Sequence, residues 1–120
     1  MAAPVGPYSH WRRAGDLVVI SGQLGIVPDA PWPTFAGDGA PEQLRQALAN
    51  ARGVLSEAGA TFDDVVKATL YLVDMDDFAA CNEIWREEFA EPRPTRSAVA
   101  VAALPLGARA EVELWAHRPA

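Results

Sequence analysis

The sequence predicts an α+β protein, a mixed β-sheet with two helices packed on one of its faces. Three observations carry this. Apolar residues recur at helical spacing in two stretches, about 41–58 and 78–89. Short runs rich in Val, Ile, Leu and Ala flank and separate those stretches. The resulting order is strand, strand, helix, strand, helix, strand, strand. Terminal strand pairs imply antiparallel hairpins, and strands separated by helices imply at least one right-handed parallel crossover.

Each element has a local cause. Leu17-Val18-Val19-Ile20-Ser21 reads as a strand entered through the turn Ala14-Gly15-Asp16, with Tyr8 to Arg13 as its hairpin partner. Gly25 to Ala40 is a long loop. It contains three prolines and two aspartates, and Trp32 is held between Pro31 and Pro33. Pro41 suits a first helical turn and Glu42 the positive end of the helix dipole. Leu44, Leu48, Ala51, Leu55 and Ala58 then form one stripe, and Gly59 stops the helix. Val65 to Val73 reads as a strand that is apolar on both faces. Asp74, Asp76 and Asp77 offer N-cap oxygens to the second helix. Its stripe is Phe78, Cys81, Trp85 and Phe89, and Pro92 and Pro94 end it. Two strands close the chain, about 96–103 and 109–117, joined around Pro105 and Gly107. Val, Ala and Leu on both sides of these strands predict that the sheet's second face is buried in an oligomer.

Composition narrows the function. The 120 residues are 50% hydrophobic and 22% charged, which suits one globular domain over 1–120. No apolar run approaches a membrane span. The first residues lack a basic segment followed by an apolar core, so no signal peptide is expected. Cys81 is the only cysteine, which excludes an intrachain disulfide and fits a reducing, cytoplasmic setting. The net charge of −6 argues against general binding of nucleic acid, whose phosphates need a basic surface. His10 and His117 have no ligand spacing with other His or Cys, so no metal site is expected.

Two features suggest chemistry. Arg96 opens the apolar run Ser97-Ala98-Val99-Ala100-Val101, which needs no guanidinium for packing. Arg is permanently charged and presents a donor fork matched to a carboxylate. It is a candidate anchor for a small anion; the alternative is a side chain reaching solvent. In the last strand, period-two geometry puts Glu111, Glu113, Trp115 and His117 on one face. Either these carboxylates are solvated, or one handles protons in a cleft.

At this point the chain resembles the Rid, or YjgF, family of reactive-imine deaminases. The resemblance rests on Pro94-Thr95-Arg96-Ser97 with Val99, Val101, Leu104, Pro105 and Gly107. Gly6-Pro7-Tyr8-Ser9 and Ser21-Gly22-Gln23 join it, as do Asp63 with Val65-Val66-Lys67-Ala68-Thr69, Asp77-Phe78, Asn82-Glu83 and Glu111-Val112-Glu113. It implies a chorismate-mutase-like fold in a homotrimer, with sheets forming an inner barrel and active sites between subunits. It also implies hydrolysis of short 2-imino acids, such as 2-iminobutanoate and 2-iminopropanoate, to 2-keto acids and ammonia without a cofactor.

In that reading Arg96 holds the substrate carboxylate. Glu111 orients or deprotonates water, and Tyr8 lines the pocket and offers its hydroxyl. Gly22 leaves room for backbone approach, while Ser21, Asn82 and Ala98 complete the substrate-binding set. Ala98 stands where many relatives carry Cys or another larger residue, so no thiol chemistry is expected there and the pocket widens. The loop bearing Trp32 also departs from the usual sequence. Three alternatives stay open at this level. One is a pathway-specific deaminase of a larger imine; another is a non-catalytic protein that binds small carboxylates. The third, a ribonuclease, would need a basic groove.

Overall fold

The computed structural model describes residues 4–120. Six strands form one sheet: β1 Trp11–Ala14, β2 Leu17–Ile20, β3 Gln23–Leu24, β4 Val65–Leu72, β5 Thr95–Ala100 and β6 Ala110–His117. Two helices, α1 Ala40–Glu57 and α2 Phe78–Glu88, cover one face, as the sequence predicts. The strand order is β1-β2-β6-β4-β5, with β3 also paired to β6.

α1 begins where Glu42 Oε2 accepts the Gly39 N–H at 3.1 Å, using an otherwise orphaned backbone donor. Its buried stripe includes Leu44, Leu48, Ala51 and Leu55, to which Ala47 and Val54 are added. Each fully buried leucine contributes roughly 1.5–3 kcal/mol. Gly59 ends the helix at φ +80°, a left-handed conformation that suits a residue without Cβ. Asp74 accepts the Asp76 N–H at 2.9 Å and caps the 3₁₀ turn Met75–Asp77 that leads into α2. Cys81, Ile84, Trp85 and Phe89 are buried. Phe89 stacks on Phe62 at 4.4 Å between ring centroids. Phe78, expected in the same stripe, is instead 36% exposed, with Arg96 Cζ 5.5 Å over its ring.

The sheet departs from the sequence reading in two ways. First, β5 and β6 are not a hairpin. β5 pairs parallel to β4 through the α2 crossover, and β6 pairs antiparallel to the other edge of β4. The 101–109 connection therefore passes over β4. Leu106 and Gly107 take left-handed φ of 60° and 74° in its tight turn. Second, the two-residue strand β3 has no visible pattern in the sequence. It lies between Gly22 and Gly25 and is defined only by pairing Gln23 with Val112 and Leu24 with Glu111. The two faces of β6 divide as its period-two pattern predicts. On the uncovered sheet face β6 presents Glu111, Glu113, Trp115 and His117, and β5 presents Thr95, Ser97 and Val99. The apolar alternates Ala110, Val112, Leu114 and Ala116 are fully buried under the helices.

The loop after β3 is tied down at its base. Asn50 of α1 donates to the carbonyls of Leu24 and Ile26 at 3.0 and 2.9 Å. Val27 N–H bonds Thr34 O at 2.7 Å, and Ala36 N–H bonds Gly25 O at 3.0 Å. Gln43, 3% exposed, donates to Gly37 O at 2.9 Å and accepts the Arg109 N–H at 2.8 Å. A Cβ on Gly25 would lie 2.3 Å from the Gln43 carbonyl oxygen, so only glycine lets the chain approach α1 this closely.

Candidate active site

Arg96 sits in edge strand β5 and turns toward α2. Its Nη2 donates to Asn82 Oδ1 at 2.8 Å. Its Cζ lies 5.0 Å from the Trp85 ring centroid and 5.5 Å from that of Phe78. Phe78, Asn82 and Trp85 follow at i, i+4 and i+7, so one face of α2 cradles the guanidinium. That spacing was visible in the sequence, but the apolar stripe it shares masked it. Burial pushes the Arg96 pKa down, and the neighbouring Cys81 partly offsets this. Among the described residues no carboxylate lies within ion-pair distance of Arg96. A half-buried guanidinium with one neutral acceptor keeps most of its donor fork available for an anion. Ala98, two residues along β5, is half-buried against the core.

Glu111 occupies a different place. It is half-buried at the start of β6, and burial, followed by the charge of Glu113, raises its pKa above the usual carboxylate value. Glu113 accepts the Tyr71 hydroxyl at 3.0 Å. Tyr71 was not singled out from the sequence, since its position on the open face follows only from the pairing of β4 with β6. Gly22 is the residue over Glu111. A Cβ there would fall 2.4 Å from Glu111 Oε2. The space that glycine leaves is thus filled by the carboxylate. Glu111, Gly22 and Tyr8 line one cleft of about 540 Å³. Tyr8 is 43% exposed there. Ser21 is committed within the chain: its hydroxyl donates to Ser9 O at 2.6 Å and its N–H to His10 O at 2.9 Å.

The two halves do not meet in one chain. Arg96 pairs with Ala68, which in turn pairs with Leu114; Glu111 pairs with Tyr71. Residues directly opposite share a face, so Arg96 lies on the helix-covered side and Glu111 on the open side. They are offset by two strand spacings and three residues, about 14 Å in the sheet. One chain therefore presents the Arg96 guanidinium on one edge and the Glu111 carboxyl in a cleft.

This fold and this divided site define a chorismate-mutase-like α+β protein. A family model described as Endoribonuclease L-PSP matches residues 1–118. The chain belongs to this family, the family of YjgF and RidA. A RutC family protein of Pyrococcus abyssi is 40% identical over 115 residues, covering 96% of this chain and 89% of that protein. The mouse protein named 2-iminobutanoate/2-iminopropanoate deaminase is 41% identical over 111 residues, covering 92% of this chain and 81% of its own. Among solved structures, RidA from the Antarctic bacterium Psychrobacter superposes with a TM-score of 0.90 at 39% identity, covering 96% of this chain and 91% of that one. E. coli TdcF with bound serine gives 0.88 at 33% identity, covering 96% and 91%.

Proposed function

We propose that this protein hydrolyses 2-imino acids to 2-keto acids and ammonia. The observation that carries this reading is the half-buried Arg96 guanidinium, held by Asn82 and two aromatic rings, with no carboxylate within ion-pair distance among the described residues. It suits a ligand carboxylate. Relatives at about 40% identity that are named 2-iminobutanoate/2-iminopropanoate deaminases support the rest.

The mechanism follows from the two halves. Arg96 binds the substrate carboxylate through its donor fork. Glu111 accepts a proton from water as the water oxygen bonds to the imine carbon and the C=N π pair moves to nitrogen. The proton returns to nitrogen to give a carbinolamine. Glu111 then takes the hydroxyl proton and passes it to the nitrogen as the oxygen lone pair forms C=O and the C–N bond breaks, releasing ammonia and the 2-keto acid. Water adds across C=N without net oxidation or reduction, so the reaction calls for no redox cofactor. The raised pKa of Glu111 makes it a stronger base than a solvated carboxylate. Tyr8 offers a hydroxyl from the cleft wall.

The separation of Arg96 from Glu111 within the sheet supports a homotrimer in which one protomer supplies the arginine and its partner the glutamate and Tyr8. The buried, solitary Cys81 suits a cytoplasmic setting. Among the described residues no helix is long and apolar enough to cross a membrane. The ribonuclease reading is disfavoured by the net charge of −6 and by the paired acids Glu111 and Glu113, which repel a phosphate backbone.

The test couples a threonine dehydratase, which releases 2-iminobutanoate, to semicarbazide as a trap. The wild type is expected to reduce semicarbazone formation. Arg96→Ala is expected to lose at least about 100-fold in kcat/KM, the scale of removing one member of a buried charge pair. Persistence of full activity in Arg96→Ala would sink the assignment of the anchor. Absence of turnover by folded wild type, with binding of 2-ketobutanoate retained, would turn the reading into a carboxylate-binding protein.

A further inference from the structure

The cleft that holds Glu111 is larger and more apolar than a short imino acid requires. Its volume is about 540 Å³, within the roughly 300–1,000 Å³ of sites that enclose drug-sized ligands. One wall comes from the loop after β3, through Ile26, Val27, Pro28 and Trp32, with Val5 also lining the cleft. Trp32 is 56% exposed and Val5 44%, so both present apolar surface at the mouth of the cleft.

The loop is also held in place. The Asn50 amide bonds both carbonyls at its root, Val27 and Thr34 close its neck, and Gln43 fixes its far end at Gly37. Trp32 is thus presented from an anchored frame, and its position on the cleft does not depend on a tail folding over. A rigid indole gives much contact area at little conformational cost. The two polar functions assigned above, the Arg96 fork and the Glu111 carboxylate, account for the carboxylate and the C=N of an imino acid. What the apolar wall has left to contact is the substrate's side chain.

We infer that the Trp32 loop selects 2-imino acids with a large apolar side chain, branched or aromatic, over those with a methyl or ethyl group. This rests on the deaminase reading for its chemistry, although side-chain selection is measurable without turnover. Apolar pockets discriminate by about tenfold or more per methylene lost.

The experiment generates imines in situ with an L-amino-acid oxidase from alanine, leucine and phenylalanine, and reads semicarbazone yield with wild type, Trp32→Ala and Trp32→Phe. In wild type, kcat/KM is expected to be at least about tenfold higher for the leucine- and phenylalanine-derived imines than for the alanine-derived one. Trp32→Ala is expected to cut that ratio about tenfold, and Trp32→Phe to retain most of it. Equal kcat/KM across the three imines, or an equal fall for all of them in Trp32→Ala, overturns the inference. In parallel, calorimetry measures binding of pyruvate and 4-methyl-2-oxopentanoate. If no imine is turned over, the deaminase reading falls, and this ladder decides the present one. Tighter binding of the branched acid, lost in Trp32→Ala, upholds it; equal affinities overturn it.

Discussion

At the scale of single residues, the site is governed by what surrounds two charges. Burial and Glu113 raise the pKa of Glu111. As the proposed base, Glu111 must be ionised, so kcat/KM should fall as pH drops through that raised value. Glu113→Gln removes the negative neighbour, lowers the Glu111 pKa and should move this acidic limb to lower pH. An unmoved limb in a pH–rate profile would exclude Glu113 as a tuning charge. The same shift has a consequence for stability. A carboxyl whose folded pKa is raised binds its proton more tightly in the folded state. Its penalty is absent below the unfolded pKa and is fully present above the folded one. Glu111→Gln should therefore unfold at a higher temperature than wild type near neutral pH, and the advantage should vanish in acid. Activity should fall by about 100- to 10,000-fold in the same variant, the usual range for a lost general base. Gly22→Ala is a sharper probe of position. Its Cβ would sit 2.4 Å from Glu111 Oε2, so the carboxylate must swing away. A fall of at least tenfold in kcat with little change in KM is expected; unchanged steady-state kinetics would mean that the seat of Glu111 does not matter.

At the scale of elements, α1 both covers the core and holds the cleft together. Asn50 supplies both hydrogen bonds that join the helix to the root of the Trp32 loop. Asn50→Ala leaves two carbonyls without their partner and should cost about 1–3 kcal/mol, read from urea unfolding. If the loop root is set by its own pairing of Val27 with Thr34 instead, the midpoint will not move. Much of this level was legible in the sequence. Leu44, Leu48, Ala51 and Leu55 mark α1, and Cys81, Trp85 and Phe89 mark the buried side of α2, because a helix writes its buried face into local spacing. The face of α2 that cradles Arg96 was less legible. Phe78 fits the apolar stripe as well as it fits a cation–π contact, and only the position of β5 distinguishes them. β3 was not legible at all, since two residues between glycines carry no period.

At the scale of the whole molecule, the sheet order divides the site. Arg96 and Glu111 lie on opposite faces of one sheet, so a complete proposed site draws on two copies. This predicts complementation. Arg96→Ala and Glu111→Gln should each be inactive alone. After co-refolding, sites that combine the intact arginine of one subunit with the intact glutamate of another should recover about a quarter of wild-type activity, the share expected from random mixing in a symmetric ring. No recovery in verified mixed oligomers would mean that both residues serve the same chain's site, or that one of them serves none. Light scattering on the wild type gives the companion measurement, with a mass of three chains expected.

The sequence by itself determined where the helices run, the stretches that contain β2, β4, β5 and β6, which side chains of β6 alternate, and the short motifs that resemble the Rid family. Each of these is encoded by residues close together in the chain, where a period of two or of 3.6 separates buried from exposed positions. Only the tertiary structure decided that β6 inserts beside β4, that β3 exists, that Gly22 makes room for a carboxylate, and that Arg96 and Glu111 face apart. Strand partners are chosen by contacts between distant segments, and the pairing register fixes which face every side chain takes. A local pattern can announce an arginine and a glutamate; the face each one reaches is set by the strands that lie beside it.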